Sequence, residues 1–134
     1  MQHSEGSKRR PLEKTITNNV MAMARQLGWW VMKTHGATYS LRGIPDVQVI
    51  RDGRSAWMEV KRPGEEPTKA QVHRMRELAA AGCPVCVVYS AADARHFLEA
   101  IAQVHRMREL ADAGCPVCVV YSAADARHFL EAIA

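Results

Sequence analysis

The apolar positions of this chain change spacing in a way that marks out its elements. Leu12, Ile16, Val20, Met23 and Leu27 recur at helical intervals, Pro11 suits a first turn, and Gly28 suits a stop. This predicts a helix over about 11–27. Residues 29–34 are rich in strand formers, and 35–43 read as a polar loop. Segments 46–50 and 55–61 are two strand candidates, and Arg51-Asp52-Gly53-Arg54 between them is a hairpin-turn signal. A Pro/Gly/Glu loop follows over 62–67. Thr68 is placed to cap a helix that runs to about 81 and ends at Gly82. Residues 85–89 form a short apolar strand, and Ser90 caps a helix to about 102. The order is α-β-β-β-α-β-α, an α/β domain with a mixed sheet flanked by helices.

That domain is complete near residue 102, yet the chain continues by copying itself. Residues 71–102 recur as 103–134 with a single difference, Ala80 against Asp112. The expected organisation is therefore a basic arm over 1–10, a domain over 11–102, and a duplicated α-β-α tail over 103–134. The apolar stripe that ends the first copy (Phe97, Leu98, Ile101) and the one that opens the second (Val104, Met107, Ala111) are offset by roughly a quarter turn, at ~100° per residue. One continuous helix would not present both stripes to the same core. Two arrangements follow: the second copy adds a β-α unit at a sheet edge through 117–121, or it competes for the first copy's place, with exchange inside a dimer.

Composition narrows the class. The chain has 134 residues, 48% hydrophobic and 24% charged, which suits one ordinary domain and excludes wholesale disorder. A formal charge of +4 is compatible with a polyanionic partner. No apolar run approaches the ~20 residues of a membrane span. The first ten residues are polar and basic rather than a secretory signal, so a cytoplasmic setting with reduced cysteines is expected.

The hairpin permits a geometric test. A two-residue turn at Asp52-Gly53 sets position 46 directly across from position 59, with Cβ atoms about 5 Å apart. Lys61 lies two residues beyond Glu59 on the same face. Val47, Val49, Ala56, Met58 and Val60 fall on the other face, suited to a core. Two facing carboxylates repel, and a hard divalent cation such as Mg²⁺, which takes oxygen ligands, would offset that repulsion. With a lysine beside them, the set fits hydrolysis of a phosphodiester.

Gly43-Ile44-Pro45-Asp46, the spacing to Glu59-Val60-Lys61 and the later Gln71 together resemble the PD-(D/E)xK nuclease superfamily, and within it the VRR-NUC family. The resemblance spans roughly residues 12–101. It implies a restriction-endonuclease-like core, dependence on Mg²⁺ or Mn²⁺ with no small-molecule cofactor, and cleavage of DNA. It also implies a stand-alone phage or bacterial protein acting as a homodimer on junction- or flap-like DNA. Asp46, Glu59 and the Val60 backbone carbonyl become metal ligands, Lys61 the catalytic lysine, and Glu13 a further acidic residue of the site.

Each supporting residue has a second reading. Glu13 also suits the first turn of a helix, where the dipole favours acids. Gln71 completes a capping box with Thr68 and could still touch the site. Gln103 has Ala100 three residues before it, so the second copy has neither this cap nor the hairpin, and no active site. Lys33, His35, Arg42, Arg62 and Lys69 flank the hairpin as candidate phosphate contacts, as does the run Lys8-Arg9-Arg10. Cys83-x-x-Cys86 and Cys115-x-x-Cys118 have the spacing of a zinc site, but the second pair exists only as a copy of the first. The alternatives to a nuclease are thus a non-catalytic nucleic-acid-binding module of the same fold and a zinc-stabilised interaction domain.

Overall fold

The computed structural model describes residues 11–34, 41–120 and 122–133. The elements in chain order are α1 (Glu13–Gln26), β1 (Trp30–Lys33), β2 (Val47–Arg51), β3 (Arg54–Val60), α2 (Lys69–Ala80), β4 (Val85–Val88), α3 (Ala91–Asp112) and α4 (Ala123–Ile133). The predicted order holds from α1 to α3. The expected basic arm and most of the 35–43 loop lie outside the described residues.

The four strands form one sheet in the order β1-β2-β3-β4. β1 and β3 run antiparallel to β2, and β4 runs parallel to β3. The sheet is therefore mixed, as expected. The β2–β3 register pairs Val47 with Met58, Val49 with Ala56 and Arg51 with Arg54, the alignment a two-residue turn requires. Asp52 and Gly53 carry φ of 52° and 74°, as the common tight hairpin turn demands.

One face of the sheet makes the core. Val47, Val49, Ala56, Met58 and Val60 are at most 1% exposed. Ile16, Val20, Met23 and Ala24 of α1 are buried as well, and α1 packs against β1, β2 and β3. Leu12, expected in that stripe, is 68% exposed. The helix starts one residue after it, with no side-chain cap, so Leu12 never joins the buried face. Val88 of β4 and Ala94 and Leu98 of α3 are also buried.

The chain divides into two compact units between Leu98 and Glu99, a few residues before the repeat begins. α3 nevertheless runs unbroken from Ala91 to Asp112. The offset stripes explain the division, because beyond Leu98 no described residue is buried. In the second unit, residues 115–120 form no strand, so the expected edge pairing through 117–121 is not made by its described residues. Among the described residues no helix is long and apolar enough to cross a membrane.

Gly53 meets nothing within 4 Å where a Cβ would stand, so its cost on substitution is backbone strain alone. Gly53→Ala is expected to lose about 1 kcal/mol of stability, read from denaturant unfolding. No loss would mean that the turn does not hold the register.

Candidate active site

Asp46 and Glu59 stand at the open end of the hairpin, on the face opposite the core. Both are buried, at 2% and 1% exposure. Pro45, itself buried, and the loop before it deliver Asp46 to the start of β2. The Val60 amide donates to Asp46 Oδ2 at 2.8 Å, which fixes the carboxylate across the hairpin. Behind it, the Thr34 amide donates to the Asp46 carbonyl at 2.9 Å, and the Thr34 hydroxyl donates to the Pro45 carbonyl. Sequence reasoning missed Thr34, because its part depends on the β1–β2 pairing and no local motif announces it.

Glu59 is the meeting point of three elements. Its Oε1 accepts from Gln71 Nε2 at 2.9 Å and lies 3.7 Å from Lys61 Nζ. Gln71 makes both of the contacts foreseen for it, the cap of α2 and the touch on Glu59. Its Oε1 accepts from the Thr68 amide at 2.8 Å, and its own amide donates to Thr68 Oγ1 at 3.2 Å, closing the capping box of α2. One side chain thus starts the helix and ties it to the carboxylate. The other Glu59 oxygen, Oε2, is buried with no hydrogen-bond partner among the described residues.

Burial makes ionisation of Glu59 costly. Burial first, then the Asp46 carboxylate beside it, push its pKa from the usual 4.5 up to about 8. A hydrogen bond shared with Asp46 and the nearby charge of Glu13 push the same way, and Lys61 opposes them. A proton held on Glu59 would be shared with Asp46. A divalent cation would replace that proton, satisfy the orphan oxygen and remove the repulsion. The donor set fits a hard ion, which Asp46 and Glu59 would hold through their side-chain oxygens. Glu13 is exposed and acts on Glu59 through its field. Among the described residues no three His, Cys, Asp or Glu side chains converge on one point, so further ligands would be backbone oxygen, water or substrate.

The basic candidates disperse. Lys33 is exposed and pairs with Val47, which puts it on the helix-covered face rather than with Asp46 and Glu59. Arg62 donates to the Pro11 carbonyl at 3.2 Å and lies 3.9 Å from Glu65, so it ties the entry of α1 to the loop after β3. Arg42 and Lys69 are exposed, and the Arg42 carbonyl accepts from Arg74. His35 lies outside the described residues. All four cysteines are free; Cys83 and Cys86 are half-buried, and burial pushes the Cys86 thiol up, away from reactivity.

Gly43 explains its own place in the motif. Its φ is +79°, and a Cβ there would lie 2.5 Å from the Ala70 carbonyl oxygen. The loop that delivers Asp46 is thus pressed against the first turn of α2, which delivers Gln71.

With this geometry in view, a search of solved structures finds a chain described as a VRR_NUC domain. It aligns over 65% of this chain and 94% of its own, with a TM-score of 0.57 and 24% identity. The chain has the VRR-NUC fold. No family model matches the sequence, and no curated protein matches it.

Two outcomes follow from the site. Gly43→Ala should cost clearly more stability than Gly53→Ala, because it adds a backbone collision to the same φ strain; equal costs would detach Gly43 from α2. The second concerns pH. Between about pH 4.5 and 8 the folded protein keeps on Glu59 a proton that the unfolded chain has released. Stability without metal should therefore fall as pH rises through that window, by up to about 1.4 kcal/mol per unit, and level off above it. Glu59→Gln should flatten the profile and raise the melting temperature at pH 8 in chelator. Parallel wild-type and variant profiles would show that Glu59 ionises normally.

Proposed function

We propose that this chain is a metal-dependent endonuclease that hydrolyses phosphodiester bonds in DNA, with Asp46, Glu59 and Lys61 as its catalytic centre. The observation that carries the reading is the buried Asp46–Glu59 pair with an orphaned oxygen, set beside the Lys61 amine on a VRR-NUC fold. Carboxylates buried together are unfavourable unless positive charge compensates them.

Asp46, Glu59 and the Val60 carbonyl would hold a Mg²⁺ or Mn²⁺ ion, with Glu13 as an outer contributor to the negative field. When bound, such an ion supplies a more acidic water and charge neutralisation at the scissile phosphate. Asp46 is held rigid by the Val60 amide. Gln71 fixes the orientation of Glu59 by donating to its Oε1. Lys61 brings an ammonium group that can donate to the attacking water or to a phosphate oxygen as negative charge develops there. Arg42, Arg62, Lys69 and His35, with Lys33 at the neighbouring strand edge, would supply phosphate contacts and salt-sensitive affinity. The preferred substrates are junction- or flap-like DNA, the acting form is a homodimer, and the setting is the cytoplasm of a bacterial host.

The decisive experiment incubates a panel of labelled duplex, nicked, flap and junction DNAs with Mg²⁺ or Mn²⁺. Lys61→Ala and Asp46→Asn should each lower the cleavage rate by at least about a hundredfold while the tryptophan fluorescence of the fold is unchanged. Salt-dependent DNA binding with no cutting under either metal would point instead to a binding module. Undiminished cutting by either folded variant would remove these residues from the mechanism.

A further inference from the structure

The two copies of the repeat carry the same apolar side chains in opposite environments. In the first copy Val88 is 0% and Leu98 1% exposed. Their counterparts Val120 and Leu130 are 47% and 60% exposed. Val72, Leu78 and Val87 are half-buried, whereas Val104, Leu110 and Val119 are 47%, 48% and 54% exposed. The first copy also shows what such a segment packs on. Its strand lies parallel to β3, pairing Trp57 with Val85, Met58 with Cys86, Glu59 with Val87 and Val60 with Val88.

The second copy repeats the local turn and cap of the first. Ser122 Oγ accepts from the Asp125 amide at 3.1 Å, as Ser90 Oγ does from Asp93. Gly114 and Gly82 have φ of 82° and 89°, and the Cys115 and Cys83 amides donate to the Leu110 and Leu78 carbonyls alike. The one sequence difference, Asp112 for Ala80, corresponds to an exposed position of α2. Ala102 corresponds in the repeat to Ala70, the residue whose carbonyl abuts Gly43.

We infer that residues 103–134 are a competent substitute for residues 71–102 on the β3 edge of their own chain. In the exchanged form Val117, Cys118, Val119 and Val120 pair with Trp57, Met58, Glu59 and Val60, Leu130 fills the place of Leu98, and Gln103 takes the place of Gln71 against Glu59. Residues 62–102 become the connecting loop. This form lacks the Thr68 capping box and closes a longer loop, which together handicap it by roughly tenfold to a hundredfold. It is the minor form until the first copy is damaged. The inference is independent of the nuclease reading, because it concerns only which segment completes the core.

The test uses full-length variants and a thermal melt followed by tryptophan fluorescence. All three tryptophans, Trp29, Trp30 and Trp57, precede the repeat, so the signal reports on the core. Leu130→Asp alone should leave the melt unchanged. Leu98→Asp should remain folded and monomeric, and should melt at the same reduced temperature as Leu98→Ala, since both then read only the handicap of exchange. The double variant L98D/L130D should unfold. A Leu98→Asp chain as unstable as the double variant, or markedly less stable than Leu98→Ala, would overturn the inference. So would a folded Leu98→Asp chain that is dimeric by light scattering, because the substitute would then come from a second chain.

Discussion

The register of the β2–β3 hairpin is the constraint on which the site depends. Two residues with positive φ, Asp52 and Gly53, fix a two-residue turn, and the pairing then leaves no freedom along the strands. A slip of one position would send Val47, Val49, Ala56, Met58 and Val60 to solvent and carry the carboxylates into the core. The apolar face and the acidic face therefore enforce each other. The core stabilises the only register in which Asp46 and Glu59 oppose one another, and that register carries Lys61 to the same side.

Around this pair the structure concentrates connections from distant parts of the chain. Gln71 belongs to a helix cap and to Glu59 at once. Gly43 lets the loop that carries Asp46 touch the turn that carries Gln71. Arg62 reaches the entry of α1, the helix that brings Glu13 within electrostatic range. The result is a pair of carboxylates buried side by side, each held by a donor from another part of the hairpin or from α2. Such an arrangement opposes stability, because the Asp46 carboxylate raises the cost of ionising Glu59.

Much of this was legible in the chain. The turn dipeptide, the strand formers on either side of it and the Thr68–Gln71 spacing are local signals, and each determined its feature within a few residues. Other features depended on partners far away in sequence. Lys33 looked close to the site, but strand pairing put it with Val47 on the opposite face. Leu12 continued a helical stripe on paper, yet the helix begins after it. Arg62 read as a phosphate contact, and its bond to the Pro11 carbonyl, 51 residues away, had no signal in the sequence around it. The depth of Glu59, and with it the upward shift of its pKa, comes from the packing around β3 and has no local signature.

The repeat separates the two kinds of information within one molecule. Sequences that differ at one position are helical over the same stretches and form the same Ser-capped turn and the same glycine stop in both places, because capping, propensity and positive φ are settled within a few residues. The strand is different. Residues 85–88 form β4, whereas the identical residues 117–120 form no strand. A strand needs a neighbour to take up its amides and carbonyls, and β3 has already satisfied that need with the first copy. Sequence alone determined the helices, the turns and the hairpin that faces Asp46 with Glu59. Tertiary structure decided which copy completes the sheet, because a single strand edge accepts one partner.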